Sequence, residues 1–236
     1  MRILCNEYKR CSVLLGAVFF TLHAALFISC TQDNYDKGEG EYSLIRADFV
    51  EAHVGSDKRV DYVVTDDGDS LAAEPHFTIK AIETADTIYR AALYYNKVKN
   101  DAGKWVADAR SMSLVPTLFP IPVEEIDEMK THPVKFESLW LAANGRYLNV
   151  SIILMTGQPD SDDMHQTVAL VQDSVVNRPD GRLTACCRLY HDQGGVPEYY
   201  SLQRFLSIPA RSIPADSLQL EMQTYEGIVV RTIALK

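Results

Sequence analysis

Apolar residues recur with a period of two along most of this chain, in short segments of the kind that form β-strands. Five such segments precede residue 123: EYSLIRADFVEAH, RVDYVVT, SLAAE, TADTIYRAALYYNKV and WVADARSMSLVPTLFPIP. The sequence DDGD at Asp66–Asp69 predicts a turn between the second and third strands. The sequence VEEIDEM, after the prolines, predicts a short helical or irregular connector.

The fourth segment is ambiguous, because several of its apolar positions also fit a helical stripe. These positions are Ile82, Ala85, Tyr89, Ala92 and Leu93. The isoleucine and tyrosine content and the hairpin-like sequence KNDAGKW that follows favour a strand.

Seven more strands are predicted from about His132 onwards. The sequence VKFESLWLAANGRYLNVSIILM reads as two strands around an Asn-Gly turn, the strongest short hairpin signal. Further strands are expected in HQTVALVQ, GRLTACCRLY, EYYSLQRFLSIP, SLQLEMQTY and GIVVRTIAL. Short strands at this spacing predict an immunoglobulin-like β-sandwich of about 100 residues. In the second strand, Leu148, Val150, Ile152 and Leu154 share one face, which we expect to be the more deeply buried.

The first 29 residues differ from the rest and read as a targeting segment. A short positive region ends near Cys11, and an almost entirely apolar run from Val13 to Ser29 follows. This order is typical of a secretory signal. The ending FISC resembles a bacterial lipobox, so we predict a lipoprotein signal peptide over 1–29 and lipidation of Cys30. An uncleaved anchor and simple secretion are the alternatives.

A polar segment, TQDNYDKGEGE, follows Cys30 directly and lacks apolar periodicity. We therefore expect residues 30–42 to form a flexible tether. More than one acyl chain makes membrane attachment lasting, at about 0.8 kcal/mol per buried methylene. The acidic cluster also resembles surface-export signals of some gut-bacterial lipoproteins, although a solvated linker is the simpler interpretation.

Charge and cysteine usage exclude several classes of function. Without residues 1–29, Lys plus Arg falls from 23 to about 20 and Asp plus Glu from 32 to about 31, which leaves a net charge of about −11. Such an acidic chain does not suit nucleic-acid binding. Beyond Cys30, only Cys186 and Cys187 remain, so there is no disulfide framework. Because neighbours on a strand point to opposite faces, we expect Cys187 in the core and Cys186 as a free thiol.

The order of these features resembles the NigD-like lipoproteins of gut bacteria. The resemblance rests on the lipidated cysteine, the acidic spacer, the DDGD turn, PVKFESLWLAANGRYLNV and HDQGGVPEYYSLQRFLSI. It implies an all-β protein, with an OB-like barrel over 43–122 followed by a β-sandwich over 123–236. It also implies a lipid anchor in the outer membrane, facing the periplasm or the cell surface. No catalytic residues are carried over with it.

Several clusters of residues are weaker candidates for chemistry. Asp66–Asp69 with Ser70, and the loop Asp160–His165, offer oxygen and imidazole ligands for a cation, but neither has the spacing of a calcium loop or a zinc site. Six aromatic residues could stack on sugars, although a core position is the usual role of an aromatic residue in a sheet. The residues in question are Trp105, Trp140, Tyr94, Tyr95, Tyr199 and Tyr200.

No nucleophile and base are paired in a recognisable motif, so we predict no catalytic residues, no cofactor and no metal. The expected function is that of a non-catalytic binding or accessory lipoprotein with a protein or glycan partner. A structural or adhesive subunit of a surface assembly is an alternative, and an exposed sheet edge would be its sign. A bacteriocin-associated immunity protein and a hydrolase with an unrecognised site are the others.

Overall fold

The computed structural model describes residues 44–235, and within this range the backbone forms thirteen β-strands. No α-helix occurs in this part of the chain, and the expected all-β class is confirmed. The predicted signal peptide (1–29), Cys30 and the predicted tether (30–42) lie outside the described residues.

The first five strands close a barrel, in agreement with the expected OB-like domain. They are β1 (Arg46–Val54), β2 (Val60–Thr65), β3 (Ser70–Phe77), β4 (Thr87–Lys99) and β5 (Trp105–Leu114). Their order around the barrel is β1-β2-β3-β5-β4, and β4 returns to pair with β1. Strands β3 and β5 are parallel, whereas the other neighbours are antiparallel.

Strand β4 resolves the ambiguity of the fourth segment in favour of β-structure. Ala91, Leu93 and Tyr95 are fully buried and point into the barrel, so the segment buries its side chains with a period of two. The helical stripe would have required a second layer to cover it. Pairing on both sides, with β1 and with β5, satisfies the backbone of β4 instead.

The remaining eight strands form a β-sandwich, as predicted. They are β6 (Pro120–Pro122), β7 (Lys135–Leu141), β8 (Tyr147–Thr156), β9 (Thr167–Asn177), β10 (Leu183–Asp192), β11 (Tyr200–Pro209), β12 (Ser217–Thr224) and β13 (Gly227–Ala234). One sheet has the order β13-β12-β10-β9-β6, and the other β11-β8-β7. Their facing sides enclose one apolar core. Short 3₁₀ turns follow β6 (Val123–Glu125) and β11 (Ala210–Ser212).

All seven strands expected after His132 are present, and β6 is an additional one. Its sequence, Pro-Ile-Pro, is too short and too proline-rich to be recognised as a strand. Proline cannot donate a hydrogen bond to a neighbouring strand, and β6 lies at the edge of its sheet, where this loss is tolerated.

The three-stranded sheet packs its outer side against the barrel. Phe49 on β1 contacts Trp140 on β7 and Phe205 on β11, with ring centroids 5.9 and 5.2 Å apart. Barrel and sandwich belong to one compact unit that begins at Leu44. Their separation into two domains at residues 122 and 123 therefore stays a prediction.

Strand β8 shows the consequence of this packing. The face that carries Leu148, Val150 and Ile152 is buried in the sandwich core, as expected. Asn149 and Ser151 on the other face are also buried, because the barrel and neighbouring strands cover them. The polar side of β8 is thus an internal surface.

Candidate binding cleft at the barrel–sandwich junction

A buried arginine of the barrel holds the junction together. Arg90 on β4 donates from Nη1 and Nη2 to the two carboxylate oxygens of Asp66, both at 2.7 Å. Its Nε donates to Ser207 Oγ at 3.1 Å, and its Nη2 to Asn149 Oδ1 at 3.0 Å. Asn149 Nδ2 in turn donates to Asp66 at 2.9 Å. The Arg90 side chain is only 2% exposed. These hydrogen bonds therefore take the place of the water that would solvate its charge at the surface.

Aromatic rings complete the surroundings of the guanidinium. The Cζ atom of Arg90 lies 4.1 Å from the ring centroid of Tyr147 and 5.5 Å from that of Phe49. Attraction between the cation and the ring faces adds to the ion pair when both are shielded from water. The junction is therefore fixed in one orientation by directional contacts as well as by apolar area.

Two turns predicted from the sequence meet at this junction. Asn144, in the Asn-Gly turn between β7 and β8, donates its backbone N–H to the carbonyl oxygen of Asp66 at 2.8 Å. Its side-chain Nδ2 donates to the carbonyl oxygen of Thr65 at 3.0 Å. Gly145 has φ of +71°, the left-handed conformation that this hairpin turn requires. The β7–β8 turn thus docks on the β2–β3 turn of the barrel.

A cleft opens where the sandwich stops covering the outer face of β1 and β4. Along these strands, Phe49 packs against Phe205 of the sandwich, whereas Glu51, His53 and the exposed Ile88 line the cleft. The cleft has a volume of about 460 Å³, within the range of small-ligand sites. The β7–β8 turn and the corner after β11 form its walls.

The floor of the cleft is apolar and partly aromatic. Ile88 on β4 and His53 on β1 form this floor, and Tyr62 on β2 lies next to His53, just outside the cleft. The rings of His53 and Tyr62 are stacked, with centroids 4.1 Å apart and an interplanar angle of 13°. Burial lowers the pKa of His53, and its Nε2 is shielded from solvent without a hydrogen-bond partner, so the imidazole is neutral at pH 7.

The walls of the cleft are polar and carry arginines. Glu51, whose side chain is 13% exposed, accepts hydrogen bonds from Arg146 Nη1 and, at 3.0 Å, from Tyr147 Oη. Burial and the Glu51 carboxylate raise the pKa of Tyr147, so it stays protonated and acts as a donor. Arg211, at the corner after β11, is exposed and has no ion-pair partner within residues 44–235. Donor groups therefore stand above an apolar floor, an arrangement suited to binding.

The acidic turn is brought together, but each carboxylate has a basic partner. The pairs are Asp66 with Arg90, Asp67 with Arg46 at 3.6 Å, and Asp69 with Lys97 at 2.5 Å. The hydrogen bond from Lys97 lowers the pKa of Asp69. Across the described residues, no three His, Cys, Asp or Glu side chains are grouped so that they could hold a metal ion.

The second cation candidate is an exposed loop. Asp160, Asp162 and Asp163 are all solvent-exposed, and His165 Nδ1 lies 3.1 Å from the carbonyl oxygen of Asp163. This local hydrogen bond shapes the loop without drawing the carboxylates together.

The candidate aromatic residues do not form one surface. Tyr95 is fully buried in the barrel, and Trp140 packs at the junction. The others are exposed on three different strands or next to them, as is the case for Tyr94, Trp105, Tyr199 and Tyr200. Tyr62, which stacks on His53 beside the cleft, is not among the aromatic residues singled out from the sequence.

The two cysteines lie as predicted. Cys187 is buried in the sandwich core, where desolvation raises its pKa to about 12. Cys186 is a half-buried free thiol on the opposite face of β10.

The fold is shared with several solved structures of Bacteroides proteins. A NigD-like immunity protein from Bacteroides caccae has a TM-score of 0.61 and 22% sequence identity, over 80% of this chain and 91% of that chain. This chain has the NigD-like fold. The expected resemblance is thereby confirmed at the level of the fold.

Two further structures share the NigD-like fold. A protein of unknown function from Bacteroides vulgatus has a TM-score of 0.57 and 15% identity, over 80% of this chain and 90% of that chain. A candidate lipoprotein from Bacteroides fragilis has a TM-score of 0.55 and 12% identity, over 81% and 98%. No protein-family model and no curated protein matches the chain. In residues 44–235, no helix is long and apolar enough to cross a membrane.

Proposed function

We propose that this protein is a non-catalytic binding module of the bacterial cell envelope, attached to the outer membrane through a lipid on Cys30. Its partner is a glycan or a protein that enters the junction cleft. The observation that supports this proposal is the cleft itself, in which an apolar floor faces wall groups that donate hydrogen bonds.

The state of the ionisable groups in the cleft favours binding over catalysis. A general base needs a free lone pair within reach of the ligand. Both carboxylate oxygens of Glu51 already accept hydrogen bonds, from Arg146 and Tyr147. Nε2 of His53 is shielded from solvent by protein atoms. The Glu51 carboxylate is thus held by two protein donors and is only 13% exposed, which favours a positioning role for it over that of a general base.

A second candidate, a structural subunit of a surface assembly, is favoured by strand β13. This strand pairs with β12 on one side only, and its outer residues Ile228 and Val230 are 64% and 42% exposed. An apolar edge of this kind can accept a strand from another chain.

A matched pair of variants tests the two candidates against each other. Ile88→Asp and Ile228→Asp both replace an exposed isoleucine, one in the cleft and the other on β13. A glycan array and a pull-down from envelope extract should show that Ile88→Asp loses the bound partner while Ile228→Asp retains it. The opposite result would favour the structural subunit. Turnover of a substrate that is abolished by Glu51→Gln, with the fold intact, would contradict the non-catalytic proposal.

A further inference from the structure

We infer that the junction cleft binds the carboxylate of an acidic sugar, with Arg211 and Arg146 as the anion-binding side chains. This inference rests on the proposed function and specifies its ligand. It follows from three features of the cleft: its local charge, the engagement of Glu51, and the apolar floor.

The local charge of the cleft is opposite to that of the chain. The whole chain carries a net charge of −9. Inside the cleft, Arg146 and Arg211 face a single carboxylate, that of Glu51, while His53 is neutral. Arg90, at the inner end, is neutralised by Asp66. A positive surplus inside a cleft attracts anions to it, even on an acidic protein.

Glu51 orients one arginine and leaves the other available. Its contact with Arg146 Nη1 fixes the guanidinium while the remaining N–H groups of Arg146 stay unused by Glu51. Because both oxygens of Glu51 are engaged, its repulsion of an incoming anion is reduced. Arg211 is exposed on the neighbouring segment, where the N–H of Ala210 donates to the carbonyl oxygen of Arg146 at 2.8 Å, and it has no ion-pair partner within residues 44–235. A guanidinium binds a carboxylate through two parallel hydrogen bonds, which a lysine in its place could not provide.

The floor favours a sugar over an acidic peptide. Ile88 and His53 form an apolar strip beside the arginines, and the Tyr62 ring extends it by stacking on the His53 ring. One side of a pyranose ring presents C–H groups that pack on such a surface, whereas its other groups need polar partners. A carboxylated sugar therefore matches both the floor and the walls.

The test compares acidic and neutral forms of the same sugar. Binding of galacturonic acid oligomers and of sialyllactose to the detergent-purified protein is measured by calorimetry, next to methyl-esterified galacturonate oligomers and lactose. We expect the acidic forms to bind about tenfold or more tightly than their neutral counterparts, since each guanidinium–carboxylate contact is charge-assisted. Higher salt should weaken only the acidic forms.

A matched pair of arginine variants locates the site. Arg211→Gln and Arg182→Gln each remove one positive charge from an exposed side chain, but Arg182 lies in the β9–β10 turn, outside this cleft. We expect Arg211→Gln to weaken acidic-sugar binding about tenfold and Arg182→Gln to leave it unchanged. Circular dichroism confirms that both variants keep the fold.

Three results would overturn the inference: equal affinity for acidic and neutral sugars, equal losses in the two arginine variants, or tighter binding of an acidic peptide than of any acidic sugar. If a neutral glycan or a protein binds and Ile88→Asp abolishes that binding, the proposed function stands and the acidic-sugar inference is wrong. If no partner depends on the cleft, both fail.

Discussion

Replacing Arg90 with methionine tests whether the buried network holds barrel and sandwich together. Arg90→Met keeps the length of the side chain but removes the guanidinium, which leaves Asp66 with Asn149 Nδ2 as its remaining side-chain donor. Removing one partner of a buried ion pair costs about 3–5 kcal/mol. The Asp66 side chain is 16% exposed, so water reaches part of the carboxylate and we expect a loss near the lower end. About 3 kcal/mol corresponds to a fall in Tm of about 6–12 °C for a chain of this size.

Thermal and urea unfolding, followed by far-UV circular dichroism and tryptophan fluorescence, measure this loss. Trp140 packs against Phe49 at the junction and therefore reports on it directly. The double variant Arg90→Met with Asp66→Asn should recover most of the stability, because neither charge is then left unpaired. Arg182→Met, at an exposed site, should change the free energy of unfolding by less than about 0.5 kcal/mol. A loss below about 1 kcal/mol for Arg90→Met would refute the reasoning.

Three other predictions concern single side chains. Cys30→Ala should give an exported protein that is not membrane-attached, and labelled palmitate incorporated equally into both forms would contradict lipidation. A maleimide should label Cys186 in the folded protein and leave Cys187 unlabelled until denaturant is added, since Cys187 is buried with a pKa of about 12. Burial lowers the pKa of His191 from 6.5, so the unfolded chain binds this proton more readily. The contribution of this shift to the free energy of unfolding is fully present above about pH 6.5. It is lost as the pH falls towards the folded-state pKa. His191→Gln should therefore reduce the loss of unfolding stability between pH 7.5 and 5.5, to which His53 also contributes, and an unchanged pH dependence would count against it.

The strands could be predicted because each buries one face within its own sheet. Such burial leaves a period-two pattern that is local in the sequence, as in Leu148, Val150 and Ile152. The turns could be predicted for the same reason, because their sequence signals are local. Gly68 and Gly145 occupy positive-φ positions in the DDGD and Asn-Gly turns. Strand β6 escaped prediction, because three residues carry too little pattern.

The cleft could not be predicted, because it depends on where one sheet stops covering another. A polar residue on a strand indicates that its side chain points away from the core that its own sheet covers. It does not indicate whether water or a second sheet lies on the other side. Arg90 and Asn149 are 59 positions apart and each reads as an ordinary solvent-facing residue, yet both are buried in one network. Two residues before Arg90 on the same face, Ile88 is exposed, because the β7–β8 turn ends there. The length of that turn, and its docking through Asn144 on the barrel, therefore decides which part of the barrel surface is sealed and which remains open to a ligand.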